Sequence, residues 1–334
     1  MRPGDTVAVV SPAFPAVARY PHRVERARAY LESLGLRMKL MPNAALDGAW
    51  AAGSGAQRAD DINAAFADDE VAAVLCALGG NHSNQILPHL DYDLIRSHPK
   101  VFHGYSDVTV LQWALFAHSG LRSLYGPMLA ASLAEAPAVL PYTDRWLRAA
   151  WFGDAPLRFE PADEWTDEVI DFDLDPPAPR TLRPNPGWRT LREGTAEGLL
   201  LGGCLEIIAW HLKGSSAWLD LSGALLFLET APAATPGNVD SWLSDLEQLG
   251  VFEAAAGLVW GRPGGVDPAQ VEILWNVVAA RTQASGIPVL ANVDFGHSDP
   301  MLTLPQGANA RLDAGRQRFE VTEPATGPPA GLTL

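Results

Sequence analysis

VAAVLCALGG, residues 71–80, contains no charged side chain and ends in two glycines. A strand wetted on one face alternates apolar and polar residues; a strand covered on both faces does not, and this run does not alternate. Its sheet must therefore carry helices on both faces, the parallel α/β arrangement. The flanking sequence agrees. TVAVVSP (6–12) is a second apolar run, HRVERARAYLESLG (22–35) reads as a helix stopped by Gly35, and LRMKLMPN (36–43) as a strand. AQRADDINAAFADD (56–69) sets Ile62, Ala65 and Phe66 at helical spacing. PKVFHGYS (99–106) is the next strand, with a helix starting at about Asp107. Ligands of such sheets sit beyond the carboxyl ends of the strands, where LGGNHSN (78–84) and GYSD (104–107) both lie.

Composition narrows the function. The 334 residues are long for one core, which predicts two domains. A formal net charge of −15 repels phosphate backbones and anionic bilayers, so neither a nucleic acid nor a membrane surface is the expected partner. Cys76 and Cys204 lie far apart among apolar residues and read as buried thiols. The opening MRPGDTVAVVSPAFPA lacks a signal-peptide pattern, and no apolar run approaches the roughly 18 residues of a membrane span. A cytoplasmic location is the expectation.

Residues 155–187 are acidic and proline-rich without sustained period, as expected of a linker or flap. Beyond them a second apolar series runs through GLLLGGCLEII (198–208), GALLFLETA (223–231), GLVWGR (257–262) and PVLANVDFG (288–296). The organisation read from the chain is a domain over 1–154, a linker or flap over 155–187 and a second α/β domain over 188–334.

Ser106 sits where an apolar strand meets a helix, and two roles compete for it. Serine is a favoured N-cap. It is also the nucleophile of strand–turn–helix elbows, although Val108 stands where the second glycine of G-x-S-x-G would be. A nucleophilic serine needs a base and an acceptor that orients the base. Of eight histidines, His297 follows an apolar strand and a Phe-Gly pair, where a loop can present an imidazole to a cleft. His211 falls in a periodic apolar segment and reads as core or helix surface, and His103 tends to face away from Ser106. Glu229 ends a nearly all-apolar strand, where a carboxylate is costly to bury unpaired; a carboxylate exposed at the strand end is the competing account. Oxyanion donors are available in the amides of Asp107 and the Gly79–Gly80–Asn81 turn.

GYSDVT (104–109), with the upstream GGN turn, FLET (227–230) and DFGHSDP (294–300), resembles the serine peptidase family of LD-carboxypeptidases and microcin C self-immunity proteins. The likeness runs along nearly the whole chain, through PGDTVAVVSPA, YGPM, GLLLGGCLEI and GLVWGR. It implies a flavodoxin-like N-terminal domain carrying the nucleophile and a smaller, swivelling-type C-terminal α/β domain carrying Glu and His. By motif position Ser106 is the nucleophile, His297 the base and Glu229 its acceptor, with Gly80 and Asp107 donating backbone N–H groups to the oxyanion. No metal or cofactor is implied, and a homodimer is. GGNHSNQILPHLDYD (79–93) is nearer the immunity branch, which cleaves the amide between an aminoacyl or peptidyl group and a nucleotide, than the murein tetrapeptide carboxypeptidases. Asn81, His82 and Ser83 are then the expected substrate contacts, and Trp188 either stacks on the nucleobase or anchors the linker. His82 and Cys204 stand where relatives often carry Asn. A small-molecule binder without catalysis is the alternative of another class.

Overall fold

The computed structural model describes residues 1–326, so 327–334 of the expected C-terminal domain lie outside the described residues. Strands β1 (Thr6–Val10), β2 (Arg37–Leu40), β3 (Val71–Cys76), β4 (Val101–Gly104) and β5 (Ser123–Tyr125) form a parallel sheet in the order β2-β1-β3-β4-β5. That is the flavodoxin-like order. Every residue of β1 is buried, as the unbroken apolar run requires, and Ile62, Ala65 and Phe66 of the helix Gly55–Ala67 are buried over the sheet.

The rest of the chain adds β6 (Leu157–Phe159), β7 (Glu164–Trp165), β8 (Arg183–Pro184), β9 (Arg189–Arg192), β10 (Thr195–Cys204), β11 (Leu225–Glu229), β12 (Gly257–Gly261), β13 (Val289–Val293), β14 (Leu304–Gln306), β15 (Asn309–Asp313) and β16 (Arg318–Val321). An eight-stranded sheet has the order β6-β16-β15-β10-β11-β12-β13-β9, with β10 to β13 parallel. Residues Leu225, Leu226, Phe227 and Leu228 of β11 are all buried. Each such side chain contributes about 1.5–3 kcal/mol relative to exposure, which holds the strand end, and Glu229 with it, in a fixed place.

Two short strands cross the divisions drawn from the sequence. β6, inside the proline-rich stretch, pairs with β16, and β14, from the second half, pairs antiparallel with β5. Leu304 lies opposite Tyr125, so the backbone itself stitches the halves together one strand from the GYSD turn. The helix that follows that turn, Thr109–Ser119, docks on β10: the Trp113 indole donates to Gly202 O at 2.7 Å, and Cys204 N–H donates to Thr109 Oγ1 at 3.1 Å. No helix among the described residues is long and apolar enough to cross a membrane.

Candidate active site

Ser106 is held in the left-handed region with φ +63°. For a residue with a Cβ this conformation costs on the order of 1–3 kcal/mol and persists only where the surroundings impose it. The capping role does not hold: the short 3-10 turn Ser106–Val108 begins with Tyr105 at its N-cap, and neither that turn nor the following helix has a side-chain cap. The hydroxyl is turned outward, 3.0 Å from His297 Nε2. His297 Nδ1 lies 2.7 Å from Glu229 Oε2. Three residues from three strand ends thus form one hydrogen-bonded line, with Ser106 just past β4, Glu229 at the end of β11 and His297 in the loop after β13.

Burial decides the charges along that line. Glu229 is fully buried. Desolvation works against its ionised form, but the charge of His297 and hydrogen bonds from His297, Tyr125 and Cys204 hold the carboxyl below its ordinary range. His297 is the complement: burial lowers its imidazole, and Glu229 overrides burial and raises it above its ordinary 6.5. The Tyr125 hydroxyl donates to Glu229 Oε1 and accepts the Ser106 N–H at 3.3 Å, so it ties Glu229 to the Ser106 backbone. The Tyr105 ring lies 5.0 Å from the imidazole, centroid to centroid, and restricts its swing.

The GGN turn lies alongside. A Cβ added to Gly79 would stand 3.1 Å from Ser106 Oγ, so only glycine gives the hydroxyl room. Gly79 O accepts the Phe14 N–H at 3.0 Å. A planar trans peptide then points the Gly80 N–H the opposite way from Phe14. Asp107 is buried, and its Oδ2 accepts from His82 N (2.9 Å), Ser83 N (3.0 Å) and Ser83 Oγ (2.9 Å). Its carboxylate therefore splices the turn to the elbow.

A cleft of about 300 Å³ opens over Ser106 and His297, with Phe14, Tyr105, Met128, Ile170, Phe172 and Arg180 among its walls. Ile170, Phe172 and Arg180 belong to the proline-rich stretch, which acts as a wall of the cleft. Arg180 pairs with Glu135 and with Asp299 Oδ2 at 2.9 Å, and Thr166 and Asp299 exchange backbone hydrogen bonds at 2.7 and 2.9 Å. Phe172 packs on Tyr20 at 5.2 Å.

Two expected substrate contacts are corrected. Trp188 is 4% exposed, is absent from the cleft walls, and donates its indole N–H to Asp294 Oδ2 at 2.6 Å. Burial leaves the indole no open face for a nucleobase, and the bond to Asp294 anchors the linker, the other of the two roles weighed for it. Ser83 is fully buried with its hydroxyl consumed by Asp107. Asn81 is exposed and bonded to His211, and His82 is half-buried. Cys204 is buried directly opposite Glu229 in the β10–β11 register. Burial first, then the charges of Glu229 and Glu206, push its thiol far up, so it is no nucleophile.

Sequence reasoning missed Tyr125, Arg180 and the role of the Asp107 side chain. Tyr125 did stand at the end of an apolar strand, in YGPM, as Ser106 and Glu229 do at theirs. Arg180 carried no signal, because its partners Glu135 and Asp299 are brought to it by the fold. Glu206 was also missed: it is buried, accepts the Ala231 N–H at 2.8 Å, and is raised by burial and by Glu229.

Residues 7–126 match the LD-carboxypeptidase N-terminal domain of the S66 peptidases, and residues 197–312 match the LD-carboxypeptidase C-terminal domain. The chain is 32% identical to a protein of Bacillus subtilis named "Probable murein peptide carboxypeptidase", over 94% of this chain and 90% of that one. It is 27% identical to the microcin C7 self-immunity protein MccF of Escherichia coli, over 96% of this chain and 94% of that one. The solved structure of MccF in complex with aspartyl sulfamoyl adenosine superposes with a TM-score of 0.91 over 98% of both chains at 26% identity. The chain belongs to the S66 family of serine peptidases, the LD-carboxypeptidase family.

Proposed function

We propose that this chain is a serine hydrolase that cleaves the amide joining an aminoacyl or peptidyl group to a nucleotide, with Ser106 as nucleophile, His297 as base and Glu229 as the acceptor that orients it. The observation that carries the reading is the unbroken line of hydrogen bonds from Ser106 Oγ through His297 to Glu229. His297 Nε2 takes the hydroxyl proton as Oγ attacks the carbonyl carbon, and Glu229 stabilises the imidazolium. The oxyanion is met by the N–H groups of Gly80 and Asp107. Collapse breaks the C–N bond as His297 hands its proton to the leaving nitrogen. Water, deprotonated by His297, then attacks the acyl-enzyme and releases the acid and free Ser106.

The nucleotide substrate is supported by the GGNHSN turn and by the likeness to MccF, whose solved complexes hold aminoacyl sulfamoyl nucleosides. A second reading, release of the terminal D-amino acid from a murein tetrapeptide, is favoured by the 32% identity to the Bacillus subtilis relative. Aspartyl sulfamoyl adenosine and a murein tetrapeptide, each incubated with the protein and followed by mass spectrometry, separate the two. Loss of all turnover in folded Ser106→Ala is the expected outcome; undiminished turnover there overturns the mechanism.

A further inference from the structure

The turn that carries Gly80 is gripped from three directions. Asp107 holds it through His82 and Ser83, as above. Arg58 donates to His82 O at 3.0 Å and to Gln85 Oε1 at 2.6 Å. The third grip comes from the other half of the chain. His211 lies in a widened π-turn, Ile208–Leu212, a rare local geometry that recurs at functional sites. Its Nε2 is 2.8 Å from Asn81 Oδ1, and its Nδ1 is 3.3 Å from Asn84 Nδ2.

These partners fit one protonation state. Nε2–H donates to the Asn81 carbonyl oxygen while Nδ1 accepts from the Asn84 amide, which is the neutral imidazole. Burial lowers His211 below its ordinary range, with Asp107 opposing, and so favours that neutral form. Asn81 directly follows Gly80, which has φ +156° and little intrinsic resistance to rotation. A turn pinned at Asn81 and Asn84 has its Gly80 N–H aimed; a turn released there does not.

We propose that His211 is a positioning residue that holds the oxyanion-binding turn in register with Ser106, from the opposite half of the molecule. The proposal rests on the reading that Ser106 is the nucleophile and that Gly80 N–H meets the oxyanion. The C-terminal half then contributes twice, with a base for the serine and a clamp for the turn.

A probe that needs no knowledge of the natural substrate is the second-order rate of inactivation by a fluorophosphonate, whose phosphoryl oxygen occupies the same hole when Ser106 displaces fluoride. Deleting an oxyanion donor outright costs about 10²–10³ in rate; misaiming one is expected to cost roughly tenfold in His211→Ala. His211→Gln, whose amide presents a donor near the Nε2 position, is expected to recover to within about threefold. For whichever of the two candidate substrates is hydrolysed, the loss falls on kcat and leaves KM within about twofold, which mere stitching of the halves does not predict. Both variants are compared at matched folding, read by circular dichroism melting. Wild-type inactivation rate in folded His211→Ala overturns the proposal, as does an equal loss in both variants. Ser106→Ala run in parallel separates the two levels. If it blocks labelling while His211→Ala labels normally, the nucleophile stands and the clamp falls; if it labels as wild type does, both fall.

Discussion

Glu229→Gln removes the charge against which the His297 imidazolium forms. Nδ1 and Oε2 are 2.7 Å apart, which sets the two charge centres about 4 Å from each other; at an effective dielectric near 20 the attraction is about 4 kcal/mol. In the proposed mechanism the reacting form carries a neutral imidazole and the imidazolium forms as Ser106 surrenders its proton, so the loss falls on the transition state and not on the substrate complex. At 1.36 kcal/mol per decade, kcat is expected to fall about a thousandfold. Glu229 is buried behind His297 and is absent from the cleft walls, so KM is expected to stay within about threefold. The pH profile shifts as well. If His297 acts as the proposed base it must be neutral, so wild-type kcat/KM is expected to fall with acid as pH drops through the raised value of His297, above 6.5. In Glu229→Gln the principal raising influence is gone and burial remains, so the acidic limb moves to lower pH. Folding carries its own signature. The lowered carboxyl of Glu229 contributes stability that is present above about its ordinary 4.5 and is lost as pH falls through its folded value. The raised imidazole of His297 contributes stability that is present below its ordinary 6.5 and is lost as pH rises through its folded value. The melting-temperature difference between wild type and variant is therefore largest between those two pH values. Steady-state rates across pH with parallel melts test all of this. A folded Glu229→Gln within tenfold of wild type, with an unmoved acidic limb, refutes the reasoning.

Three further outcomes can be checked in the same assays. Tyr125→Phe strips the hydrogen bond from buried Glu229 Oε1; a charged group left short of a partner costs about 1–3 kcal/mol, so kcat is expected to drop roughly ten- to a hundredfold, and an unchanged kcat counts against Tyr125 as a tie. Gly79→Ala places a methyl 3.1 Å from Ser106 Oγ, close enough to push the hydroxyl by a few tenths of an ångström; since a full ångström costs on the order of a hundredfold, a loss of roughly tenfold is expected, and wild-type labelling by a fluorophosphonate would show that the hydroxyl has more room than argued. Trp188→Phe is expected to lower stability by about 1–3 kcal/mol through the hydrogen bond lost at Asp294 Oδ2, whose Oδ1 keeps Asn185 and Arg262, while leaving KM for a nucleotide substrate unchanged; a raised KM with intact stability would return the indole to the cleft.

The sheet was legible because strands buried on both faces read as short, unbroken apolar runs bounded by turn residues, where length and flanking glycines separate them from a buried helix. VAAVLC and LLFLE carry no exposed position at which a polar side chain is tolerated, and both proved central strands. Among the elements that went unread are the three-residue strands β6 and β14. LRF shows the buried–exposed–buried alternation of an edge strand, but over three residues that pattern is indistinguishable from loop composition. Their pairings are nevertheless what join the halves, so the division at 154 and 187 drawn from composition alone runs across hydrogen-bonded strands.

The same distinction between local and distant causes sorts the site. Ser106, Glu229 and His297 each stand at or just past the end of an apolar strand, so local pattern alone places them at the ligand-binding edge. What local pattern could not separate was a cap from an elbow, because both are written as a serine between strand and helix. The difference is a backbone angle, φ +63° against the extended conformation of an N-cap, and it is imposed by packing from Gly79 and Tyr125, neither adjacent in sequence. The stacking alternative for Trp188 and the contact expected of Ser83 give way for the complementary reason. Each has a polar atom that looked available in its own segment and is consumed by a carboxylate from elsewhere, Asp294 in one case and Asp107 in the other. A polar side chain in a turn is thus a candidate contact only until the fold delivers it a partner. By that criterion Arg180, with two carboxylates already on it, is a strut of the cleft wall rather than a receptor for an anionic substrate group. The Ser106 hydroxyl differs from all of these, because its partner is an imidazole that is itself held by a buried carboxylate.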